Sequence, residues 1–173
     1  MIDVEVEALE AIAAAAYRRD TPDAKEVVAA RVLGLAERTG SDAARALGLF
    51  LNWDEIDETD DLEKISVEPA RALAERTSDR YALVTTRYML ASRALLVGEL
   101  DESYAQIHLA IAAAGPTDPD ERPHHVPLVL VPVVAAVVAA VRGDADEARV
   151  HTRRRAPPAH PSANRADLRS APG

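Results

Sequence analysis

The 173-residue chain is long enough for one domain with a real core, and it is rich in Ala, Leu and Val with only 3% aromatics, which favours close helix packing over an aromatic-rich β-sandwich. It has no Cys, which excludes a disulfide framework, a thiolate metal site and a cysteine nucleophile. The net charge of -9 is unevenly spread: residues 1–148 hold 28 acids against 14 bases, so the body repels phosphate backbones, whereas 149–173 hold six Arg against Asp167.

The start, MIDVEVEALE, is acidic where an export signal would begin with positive charge, so the expected location is cytoplasmic. From Val4 to Arg19 apolar residues Leu9, Ile12, Ala13, Ala16 and Tyr17 fall on one side of an expected helix. Asp20-Thr-Pro-Asp ends it and opens a second helix running to about Arg38, with Pro22 suited to the first turn and Val27, Val28, Val32, Leu33 and Leu35 inward. Gly40-Ser-Asp is a glycine stop followed by a new cap, and the helix it opens carries Ala46, Leu47, Phe50 and Leu51.

Acids then crowd Asp54 to Glu63, too dense for a core and without the alternation and mid-loop glycine of a calcium loop; a solvated segment is expected. The next helix, near Leu62 to Arg76, contains Pro69, which should start, kink or split it. Residues Tyr81 to Gly115 read as one complete helical hairpin, with Leu83, Val84, Met89, Leu90, Leu95, Leu96 and Val97 at three- and four-residue intervals and a break at Gly98-Glu-Leu-Asp. Three prolines within 115–123 make a non-helical loop. Val126 to Val141 is almost wholly apolar, yet at 16 residues interrupted by Pro127 and Pro132 it falls short of the ~20 needed to span a bilayer. A buried helix starting near Pro132 is expected, with no membrane contact. From Arg149 the apolar period is lost and prolines and arginines accumulate, so 1–150 is assigned as the folded domain and 151–173 as a disordered basic tail.

Internal repetition is the strongest signal in the chain. LAERTGSD at 35–42 recurs as LAERTSD at 73–79, and the corner Gly98-Glu-Leu-Asp-Glu-Ser recurs as Gly143-Asp-Ala-Asp-Glu-Ala, 45 residues on. At these corners the chain resembles the tetratricopeptide repeat: around Gly98, Leu90 and Ala91 suit the first helix and Ser103, Ile107 and Ala110 the second. Around Gly143, Ala136 and Ala148 match, but Thr152 stands where an apolar residue belongs and Arg155 where a small one does. With helices rich in Ala and Leu, AERTGD-like joints and a proline-rich segment ending AxxAAxRGDxxEA at Ala148, the chain looks most like the tetratricopeptide region of large actinobacterial transcriptional regulators. The resemblance implies an all-α, right-handed α-solenoid of antiparallel helical hairpins and a concave groove for a protein or peptide. It also implies a detached or truncated scaffold part, because no GxxxxGK[ST] phosphate loop and no convincing helix-turn-helix is present.

No catalytic, cofactor-binding or metal constellation stands out, and no cofactor is expected. His124-His125 lies in a proline-bounded loop and lacks the i, i+4 spacing of a metal pair, while His108, between Ile107 and Leu109, reads as a packed or half-exposed histidine. His151 and His160 fall in the basic tail region. Tyr81, Tyr88 and Tyr104 with Arg87 are the residues that could line a peptide groove. The expected function is a non-enzymatic interaction module in transcriptional regulation, with self-association through an uncapped C-terminal hairpin. The alternatives are a small-molecule-sensing helical domain, with its ligand beside the 126–141 helix, and a free-standing adaptor.

Overall fold

The computed structural model describes residues 22–53, 66–116 and 126–155. The expected helix from Val4 to Arg19, the acidic run, most of the proline loop with His124-His125, and residues 156–173 lie outside these. Seven helices and no strand occur among the described residues: α1 (Pro22–Thr39), α2 (Asp42–Trp53), α3 (Glu68–Arg76), α4 (Arg80–Leu96), α5 (Leu100–Ala114), α6 (Val126–Arg142) and α7 (Ala145–Arg155). The chain is all-α over these residues.

The repeated joints fold alike. In both, a threonine side chain accepts a hydrogen bond from the backbone N–H two residues on: Ser41 N to Thr39 Oγ1 at 3.2 Å and Asp79 N to Thr77 Oγ1 at 3.1 Å. Ser41 and Asp79 then cap the next helix by accepting from Ala44 N and Ala82 N at 3.2 and 2.8 Å, satisfying donors that a helix start leaves without partners. The Leu-Ala pair that opens each joint, Leu35-Ala36 and Leu73-Ala74, is buried.

The corners also share one geometry. Gly98 and Gly143 take left-handed φ of 80° and 87°. At the first, Gly98 N donates to Leu95 O and Glu99 N to Ala94 O; at the second, Gly143 N donates to Ala140 O and Asp144 N to Ala139 O. This is the Schellman arrangement, which closes a helix through a residue without Cβ and reverses the chain. It produces the hairpins α4–α5 and α6–α7, while Gly40 turns α1 into α2.

The core is shared out along the chain. Val28, Val32, Leu35, Leu47, Phe50 and Leu51 of α1–α2 form one cluster, to which Ala70 of α3 and Met89 of α4 contribute. Ala46, Leu73 and Ala82 join α2, α3 and α4. Val84 and Ala91 of α4, Ile107 and Ala110 of α5, and Val131 and Ala135 of α6 form the third cluster. Tyr88 packs against both large clusters and meets Phe50 edge-on at 6.1 Å between ring centres. At the α4–α5 crossing Ser103 Oγ donates to Ala91 O at 2.8 Å, a contact that only small side chains permit.

Three helices differ from expectation in extent, and one residue in burial: α3 begins at Glu68, not near Leu62, and Val27 of α1, expected inward, is exposed. Helix α6 begins at Val126 and passes through Pro132. Proline removes the bond to the carbonyl four residues back, but a start at Pro132 would strand Val131, which is buried, and Leu128, which packs against the third cluster. Helix α7 continues to Arg155, past the expected boundary at 150, and carries His151 into a buried position. Pro69 starts α3 and does not kink it. No helix among the described residues is long and apolar enough to cross a membrane.

Candidate functional site

Among the described residues, a group of chemically capable side chains lies where α5 meets α7. On α5 the face toward α4 is apolar or small, with Ser103, Ile107 and Ala110 buried. One position round, Tyr104 and His108 fall four residues apart on the same strip. On α7, Glu147 and His151 have the same spacing. The Gly143 corner and the cap that follows set their orientation: Asp144 accepts from Glu147 N at 2.9 Å, which fixes the first turn of α7.

Three of these side chains converge on a carboxylate oxygen of the fourth, Glu147. Glu147 Oε1 lies 2.8 Å from His108 Nε2, 3.4 Å from the Tyr104 hydroxyl, which donates to it, and 3.6 Å from His151 Nε2. The ring centres of Tyr104 and His108 are 4.3 Å apart, and His108 meets His151 edge-on at 6.1 Å. Exposure is graded across the group: the side chains of His151, Glu147 and His108 are 6%, 18% and 38% exposed. The Arg142 guanidinium sits 4.5 Å over the Tyr104 ring and also bonds to Asp101. The two imidazole nitrogens and the carboxylate oxygen all lie within 4.8 Å of one another, so these three residues could hold a metal ion.

Comparison with family models, curated proteins and solved structures gave no significant match.

His108 is half-exposed, as expected from its neighbours, but it has a carboxylate partner 39 positions along the chain. The tyrosines do not gather into one groove. Tyr81 and Tyr88 pack against the α1–α2 cluster, Tyr104 belongs to the α5–α7 group, and Arg87 donates to Gln106 at 2.8 Å. Gln106 in turn donates to Glu102, 3.6 Å from Arg71, so Arg87 belongs to a polar chain linking α3, α4 and α5. The sequence signal for the α5–α7 group is the Glu147…His151 spacing of four; it is obscured because Arg149, Arg153, Arg154 and Arg155 make the segment read as a tail.

Proposed function

We propose that this chain is a non-enzymatic interaction scaffold of tetratricopeptide-like hairpins, stacked as an α-solenoid and serving as a regulatory part of a transcriptional regulator. The observation that carries this reading is the paired identity of corners and joints. Gly98 and Gly143 share one hydrogen-bond pattern, Thr39 and Thr77 share another, and each device delivers the chain into a helix packed on its predecessor. Leu90, Ala91, Ser103, Ile107 and Ala110, the matching positions around Gly98, are all buried, and Ala136 and Ala148 around Gly143 are half-buried, which supports the repeat register. Stacked units of this kind offer extended surfaces because each contacts only its neighbours. The α6–α7 hairpin leaves Val129, Val137 and Val141 exposed, an apolar strip of the kind that protein partners cover.

The test is proximity labelling of partners in the native cell, followed by reconstitution of each labelled protein with the purified chain. A direct partner whose binding weakens at least about ten-fold with Val137→Asp and Val141→Asp, a loss of roughly 1.4 kcal/mol, is the expected result. Helical content should stay unchanged. If no labelled protein binds the purified chain, or the paired substitution leaves every affinity unaltered, the scaffold reading through this strip fails.

A further inference from the structure

We propose that His108, Glu147 and His151 bind a divalent transition-metal ion of borderline softness, zinc being the best fit, and that the ion fastens α7 to α5. The inference is independent of the scaffold reading. Two neutral imidazoles and one carboxylate are a ligand set that zinc accepts with a fourth position left for water, whereas magnesium and calcium prefer oxygen alone.

The spacing fits that cation. With metal–ligand distances of roughly 2.0–2.2 Å, adjacent ligand atoms of a tetrahedral site stand roughly 3.4 Å apart. The observed separations from Glu147 Oε1, 2.8 Å to His108 Nε2 and 3.6 Å to His151 Nε2, fall on either side of that value. One ligand atom from each of the three residues lies within 4.8 Å of the others, a span that ligands of a single ion occupy. The ligands come from two helices, with Glu147 and His151 one turn apart on α7 and His108 on α5, so binding ties together elements remote in sequence.

Charge and access fit as well. Among the described residues, Arg142 is engaged by Asp101 and by the Tyr104 ring and Arg149 pairs with Asp146, while the Glu147 carboxylate faces the two imidazoles. His151 is the buried anchor and His108 the open side, which gives an ion a route in and its water a place to sit. Helix α7 has a structural use for such a clasp. Among its described side chains Val150 and Thr152 are exposed, and those turned inward are Glu147, the small Ala148 and His151. A helix with so little apolar burial gains most from a bond that fixes it directly.

The test uses the full chain and zinc chloride, with titration calorimetry for binding and far-UV circular dichroism for thermal unfolding. One zinc per chain and a rise in Tm are expected, with no comparable rise from magnesium or calcium. His108→Ala and Glu147→Gln should each weaken zinc binding by roughly 100-fold or more, since even outer partners of metal ligands typically matter by 10–100-fold. His108 is half-exposed, so His108→Ala should keep its helical spectrum without metal and carries the test if Glu147→Gln does not fold. The triple variant His124→Ala/His125→Ala/His160→Ala should bind as the parent does. Cobalt in place of zinc should give the intense visible absorption of a four-coordinate ion. Zinc binding that survives His108→Ala, or is abolished by the triple variant, or is absent from the parent, overturns the proposal.

Discussion

Three hydroxyls on neighbouring turns of the α4–α5 pair show how differently buried polar groups are handled. Thr86 Oγ1 donates to Ala82 O at 2.6 Å and Ser103 Oγ to Ala91 O at 2.8 Å, whereas the Thr85 hydroxyl is buried with no hydrogen-bond partner among the described residues. A buried hydroxyl that has left water without replacing its bond is a net cost, and valine has nearly the same shape. Thr85→Val should therefore raise unfolding stability by about 1 kcal/mol, seen as a higher midpoint in urea with the slope unchanged. A lower midpoint would mean that the hydroxyl is satisfied in solution. Ile107→Ala should act in the other direction, by about 2–5 kcal/mol, because Ile107 is fully buried in the cluster that joins α4, α5 and α6.

At the scale of the element, caps and close approaches govern where helices start and how they meet. Asp79→Ala removes the acceptor for Ala82 N at the start of α4 and should cost about 1 kcal/mol in the same urea titration, while Asp79→Ser restores most of it. Gly48 is a sharper case, since a Cβ there would come within 2.5 Å of Leu33 on α1. Alanine gains about 1 kcal/mol in helix propensity over glycine, but Leu33 is only half-buried and can shift by turning outward, so Gly48→Ala should be close to neutral. Gly48→Leu should destabilise by several kcal/mol as α1 and α2 are forced apart. These local devices were legible in the sequence: LAERT followed by a cap, and glycine followed by acids, act within six residues and read the same anywhere. The start of α6 was not legible, because the burial of Leu128 and Val131 against distant helices outweighs a local proline signal. The α5–α7 group was hidden for a related reason. His151 is buried by packing against a helix more than 35 positions earlier, which no periodicity within its arginine-rich neighbourhood reveals.

Over the whole molecule, stability should depend on which neighbour a helix covers. Helix α6 closes the third core cluster with Val131 and Ala135, while α7 contributes mainly polar contacts to α5 and packs on α6 alone over any large area. Two truncations separate these roles. A chain ending at Arg142 loses α7, whose described inward side chains are small or polar; it should keep cooperative unfolding with Tm lowered by only a few degrees, in line with roughly 1 kcal/mol in a domain of this size. It should also lose its response to zinc. A chain ending at Pro116 uncovers Ile107, Ala110 and Ala91 together, and exposure of a cluster that size should abolish the sharp transition or drive aggregation. In a stack where each hairpin contacts only its neighbours, losses grow with the interface removed, so the second cut must be much the worse. Equal damage from both cuts, read by circular dichroism and sedimentation, would mean that the helices unfold as one indivisible core and that the repeated corners do not mark independent units.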